Sequence, residues 1–107
     1  DSVLISIGSL REKLAKKAFE TGVLYLKMEE YDSAKLSFQV VIDEFYDTPY
    51  LAEAQKEMII ALARNREIEN AISFLTINET SLSKNGFYNE TVEFIDDMKS
   101  KLQKEQE

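Results

Sequence analysis

From Leu10 onward, apolar and small residues return every three or four positions. Leu10, Leu14, Ala18, Gly22 and Tyr25 form one stripe, and Ala15, Phe19, Val23 and Leu26 form a second beside it. A helix with two adjacent apolar stripes needs neighbours on two sides. Ser9 stands three residues before Glu12, the spacing of a capping box in which hydroxyl and carboxylate each satisfy a free backbone N–H, so the first helix is expected to start there. Val3, Leu4, Ile5 and Ile7, ahead of Gly8, read as a non-helical lead-in. After Glu29 and Glu30 the pattern resumes. Tyr31, Ala34, Phe38, Val41 and Phe45 mark the inward face of a second helix, which Leu36 and Val40 widen towards the next.

Asp47, Thr48 and Pro49 form the clearest boundary, because Thr caps well and Pro at the first helical position gives up an N–H that had no partner. The third helix is expected from Pro49 to Arg64, with Leu51, Ala54, Met58, Ala61 and Leu62 inward, the cations Arg64 and Arg66 at its carboxyl end, and Asn65 as its stop. Ile68, Ala71, Ile72 and Leu75 give a fourth helix one apolar face. Residues 77–87, punctuated by Asn78, Ser81, Ser83, Asn85 and Gly86, have the composition of a loop, pinned by Leu82. Val92, Ile95, Met98 and Leu102 then recur at helical spacing in a last helix over residues 88–104, expected to cover the remaining apolar face and to fray from Lys104 onward.

Gly22, Tyr25, Tyr31, Ala34 and Phe38 sit at the intervals of a tetratricopeptide repeat, small where one helix lies close to its partner and aromatic on either side. Ile68 and Ala71 repeat the interval between Tyr31 and Ala34, while Ile59 and Leu62 replace the glycine and first tyrosine. The expected fold is all-α, a tetratricopeptide-like helical repeat (α-solenoid) of five helices in a single domain over residues 1–107. Residues 9–46 make a first repeat, 47–76 a second, degenerate one, 77–87 a loop and 88–104 a terminal helix.

Composition then narrows the function classes. A chain of 107 residues suffices for one small domain, and 44% hydrophobic with 31% charged residues is the balance of an ordinary folded protein. The net charge of −7 is spread along the chain, and no segment is basic enough to grip a nucleic-acid backbone. Without Cys, disulfides, thiolate metal sites and cysteine nucleophiles are excluded, and without His the commonest general base and metal ligand is gone. The start at Asp1, with no signal-like stretch, reads as a processed product or an excised fragment.

Leu10–Arg11–Glu12–Lys13–Leu14–Ala15, Tyr25–Leu26–Lys27, Tyr31–Asp32–Ser33–Ala34 and Asp47–Thr48–Pro49–Tyr50 together resemble the outer-membrane protein assembly lipoproteins of the BamD type. The resemblance covers residues 9–76, in the manner of the last two repeats of those proteins. The family usually has a proline before the Asp–Thr pair, where this chain has Tyr46. What the resemblance implies is a non-catalytic, cofactor-free protein–protein scaffold of the β-barrel assembly machinery at the periplasmic face of the outer membrane. Its partners would be the barrel-forming assembly subunit and accessory lipoproteins, with no small-molecule substrate. The lipid-bearing cysteine of such proteins would lie in an amino-terminal part outside this chain or be absent. Two other readings stay open: a different repeat adaptor, such as a periplasmic cell-envelope coordinator or a cytoplasmic co-chaperone, and a repeat domain appended to an envelope enzyme.

In the repeat register, Lys16, Phe19, Val23, Leu26 and Lys27 of the first helix form one wall of a concave surface, and Lys56, Ile60, Ala63 and Arg64 of the third continue it. Such an apolar groove with a basic rim suits a helix or extended segment of a partner. The plainer reading makes Phe19, Val23 and Leu26 core, packed on an earlier repeat or on the lead-in. The acidic pairs Glu29–Glu30, Asp43–Glu44 and Asp96–Asp97 point about 100° apart on a helix, so they read as solvated surface rather than as acid and base on one substrate. Asn78–Glu79–Thr80 and Asn89–Glu90–Thr91 fit the glycosylation sequon and read as cap residues.

Overall fold

The computed structural model of the chain describes residues 2–106, with side chains for residues 8–106. It contains α1 (Ser2–Lys27), α2 (Tyr31–Glu44), α3 (Leu51–Arg64), α4 (Ile68–Ile77), α5 (Glu79–Lys84) and α6 (Tyr88–Gln106), and no strand occurs among the described residues. The chain is all-α, as its apolar periodicities require. The helices follow one another through space: α2 packs on α1, α3 on both, α4 and α5 on α3, and α6 across α3 and α4.

One turn is used three times. The first helix of each hairpin ends on a residue with left-handed backbone: Glu29 (φ 61°), Arg66 (φ 66°) and Gly86 (φ 78°). The next residue reaches back across it, the N–H groups of Glu30, Glu67 and Phe87 donating to the carbonyls of Tyr25, Leu62 and Leu82 at 2.9, 2.9 and 2.8 Å. This satisfies carbonyls that a helix end otherwise leaves free. The carbonyls of Glu30, Glu67 and Phe87 then accept the opening bonds of α2, α4 and α6, from the N–H groups of Ala34, Ala71 and Thr91. Those three small residues are fully buried, at 0%, 0% and 1% exposure, so each second helix starts tight against its surroundings.

Within the first hairpin the closest approach is at Gly22. A Cβ placed there would lie 2.5 Å from Cε1 of Phe38, whose ring is fully buried. Phe38 in turn meets Phe19, and Phe19 meets Tyr50 at the start of α3, with ring centroids 5.8 and 5.7 Å apart. Ion pairs fasten the outside. The Arg11 guanidinium grips both carboxylate oxygens of Asp47, at 2.6 and 3.1 Å, and donates to the Glu44 carbonyl. Lys35 of α2 reaches Glu67 in the α3–α4 turn at 2.6 Å.

Three expectations are corrected. α1 begins at Ser2, so Ser9 lies inside a helix and no capping box forms there. Val3, Ile7, Leu10 and Leu14 follow one another at helical intervals, and a single Gly8 costs only about 1 kcal/mol against Ala. Thr48 does not cap α3: its hydroxyl donates to the Phe45 carbonyl at 2.7 Å, finishing α2, and α3 begins at Leu51 after a turn through Pro49 and Tyr50. The segment 77–87 holds a helix, α5, rather than a loop, which makes six helices instead of five. Its anchor is a polar network inside the protein. Gln55 of α3, only 5% exposed, donates to Asn78 Oδ1 at 3.1 Å and accepts from the Ser81 hydroxyl at 2.8 Å, while Asn78 Nδ2 donates to the Phe74 carbonyl. Leu82 is completely buried beneath it.

Replacing Gly22 by Ala is expected to overpack the Phe38 ring and cost about 1–3 kcal/mol in urea unfolding, with part of the loss recovered when Phe38→Leu is added. A neutral Gly22→Ala would show that the two helices have room to part. At the left-handed Glu29, Glu29→Gly should instead raise stability by roughly 0.5–1 kcal/mol, by relieving the clash of a Cβ with the neighbouring carbonyl. A loss of stability there would contradict the turn geometry.

Candidate protein-binding groove

The nine residues expected to line a groove are divided by the fold. On α1, Lys16 and Lys27 are exposed, Phe19 and Val23 are half-buried against the core, and Leu26 is buried. Phe19 packs on Phe38 of α2 and on Tyr50 at the start of α3. On α3, Ala63 is wholly interior, whereas Lys56, Ile60 and Arg64 face α6. The Lys56 ammonium sits 4.7 Å from the centroid of the Phe87 ring and within 3.6 Å of Glu90, and the Arg64 guanidinium lies 5.7 Å from the Phe94 ring. Between them, Lys56, Ile60, Glu90, Thr91 and Phe94 enclose a cavity of only about 130 Å³. The α3 half of the expected surface is therefore largely covered by the terminal helix and by Phe87 just ahead of it, with Arg64 left exposed at the edge.

A larger groove opens on the other side of α3, between α2 and α4. It holds about 500 Å³ and is lined by Asp32, Lys35, Leu36, Gln39, Met58, Leu62 and Phe74. Helix spacing explains it: α2 and α4 both pack on α3 but do not reach each other, so Met58 and Leu62 of α3 form a floor. Leu36 stands on the rim, 71% exposed. The charges along the same edge are already paired. Hydrogen bonds from Lys35, Asn65 and Asn70 hold the Glu67 carboxyl below the usual glutamate range, and Glu67, aided by Asp32, raises Lys35. The apolar remainder is Leu36 and Phe74 above a floor of Met58 and Leu62, both almost wholly buried, where the methionine side chain can adjust to more than one shape. The sequence pattern has Leu36 and Val40 widening the inward stripe of α2 towards the next helix, but the structure leaves both exposed, Leu36 on the groove rim; Phe74 carried no signal beyond lying three residues after Ala71.

No group of three or more acidic residues is placed to hold a metal ion among the described residues, and no described helix is long and apolar enough to cross a membrane. One carboxyl is perturbed in the unfavourable direction. Burial pushes Glu57 of α3 above the usual glutamate range, against the pull of Lys56 and Arg64. Asp47 moves the other way, held down by its hydrogen bond from Arg11. No protein-family model matches the chain, and no curated protein or solved structure matches it.

The sign for Glu57 is definite. The folded state holds its proton more tightly than the unfolded chain does, so its contribution is favourable in acid and is lost as pH rises through its raised value. Glu57→Gln should therefore melt higher than the parent at neutral pH, and the difference should vanish below about pH 4. Equal melting at neutral pH would mean that Lys56 and Arg64 fully offset the burial.

Proposed function

We propose that the chain is a non-catalytic protein–protein scaffold of the tetratricopeptide-like kind, which docks an apolar helix or extended segment of a partner in the groove between α2 and α4. The observation that carries this reading is the groove itself: about 500 Å³, with exposed Leu36 on its rim, half-buried Phe74 beside it and the almost wholly buried Met58 and Leu62 as its floor, while the charges beside them are paired within the protein. An apolar floor with its polar edge already satisfied favours burial of apolar side chains over recognition of a charged small molecule. The three like turns, each closing a helical hairpin, support a repeat architecture. A stiff stack presents such a groove preformed, which lowers the ordering cost of binding.

The residues that resemble the BamD-type lipoproteins lie chiefly where the first hairpin is built. Leu10–Ala15 carries Arg11 to its Asp47, Tyr31–Ala34 opens α2, and Asp47–Tyr50 makes the turn into α3. On that resemblance the partner is the barrel-forming subunit of the outer-membrane assembly machinery, through its periplasmic domains, and the working compartment is the periplasm.

Isothermal titration of this chain with those soluble periplasmic domains tests the reading. Binding is expected, and Leu36→Glu, at an exposed position that leaves folding intact, should weaken it by about tenfold or more. No binding by the parent chain would remove the assembly role. Binding that Leu36→Glu leaves unchanged would move the contact away from this groove.

A further inference from the structure

Four of the nine large apolar side chains exposed among the described residues lie on one line along α1: Leu10, Leu14, Leu24 and Met28, the last just past the helix end. With Lys17 and Thr21 they occupy positions 10, 14, 17, 21, 24 and 28. Intervals of four and three alternate without a break, which is the period of a coiled-coil seam, narrower than the stripe of a helix resting on a globular core. The sequence continues the spacing at positions 7 and 3 with Ile and Val. α2 occupies the adjoining face of α1, through Gly22, and leaves this line open. Between the line and Val40 and Glu44 of α2 runs a groove of about 420 Å³. α6 differs from α1 in this respect, because the residues it turns outward, Glu93, Asp97, Lys101 and Lys104, are charged rather than apolar.

We propose that this seam pairs α1 with the α1 of a second copy of the chain, antiparallel, in a two-fold dimer. The period asks for a helix, and the charges select a copy and a direction. Lys13 and Glu20, both exposed, lie one heptad apart on the same flank of the line. A two-fold axis crossing α1 between them sets Lys13 against the partner subunit's Glu20, and Glu20 against the partner subunit's Lys13. The same register lays Leu14 along the aliphatic stem of the partner subunit's Lys17 and Leu10 on the partner subunit's Thr21, so no polar seam residue meets another. Leu24 and Met28 fall opposite register positions 7 and 3. A parallel pair in register would stack Lys17 on Lys17 and gain no flanking charge pair. The seam lies apart from the groove between α2 and α4, so the pairing does not depend on the docking role.

Analytical ultracentrifugation at high micromolar concentration provides the test. The expected mass is twice the 12.3 kDa of the chain. Leu14→Glu with Leu24→Glu should give a monomer whose far-ultraviolet circular dichroism is unchanged, while Leu36→Glu, off the line, should remain dimeric. Lys13→Glu should weaken the dimer about tenfold, and adding Glu20→Lys should restore it. A parent chain that stays monomeric overturns the pairing and leaves the seam to a helix of another protein. A dimer that survives Leu14→Glu with Leu24→Glu, or a charge-swapped pair that fails to recover, overturns it as well.

Discussion

The burial of α3 is the constraint around which the other helices are arranged. Ala52, Ala54, Gln55, Met58, Ile59, Ala61, Leu62 and Ala63 are all buried, and α3 touches each of the other five helices. Four alanines make this possible, because a helix surrounded on several sides must be thin where its neighbours come closest. The cost of such a position is that polar groups on it need partners inside the protein. Gln55 has them in Asn78 and Ser81, and Glu57, with its raised proton affinity, records what imperfect compensation looks like.

Sequence patterns reveal an element well when it has one wet face and poorly when it has none. α2, α4 and α6 each carry a single apolar stripe, and their extents agree with the periodicity to within a few residues. Gly22 was legible as a close-contact position because only a missing side chain lets the Phe38 ring sit where it does. α5 was not legible. Its six residues include a single apolar one, Leu82, and it is held by hydrogen bonds to Gln55, a residue far away in the chain whose burial no local pattern discloses. Two of the three repeated turns were legible in place, at Glu29–Glu30 and Asn65, but not in their shared geometry, since Glu29 and Arg66 adopt a backbone that sequence rules assign to glycine.

The same logic separates the expected groove from the observed one. Helical spacing put Lys56, Ile60 and Arg64 on one face of α3, along with Ala63, which is interior, but could not show that α6 returns to lie across it, with Phe87 and Phe94 against the two cations. For Phe19, Val23 and Leu26 the plainer alternative, core packing, describes their burial better than a groove wall does. The groove between α2 and α4 exists because two helices sharing a third as support fail to meet. That is a property of interaxial distance, which single-chain periodicity does not encode.

The connections between helices differ in slack. Residues 28–30, 65–67, 78 and 85–87 turn with almost none, because a residue that ends one helix also begins the next, whereas residues 45–50 between α2 and α3 form the longest joint. Arg11 spans that joint from α1, holding the Glu44 carbonyl on one side and Asp47 on the other. The Arg11–Asp47 pair is exposed, so salt screens it, while α3 is held on the first hairpin by apolar burial, Phe19 against Tyr50 among it, that salt does not weaken. Ionic strength therefore acts on the joint itself far more than on the packing of the helices it connects.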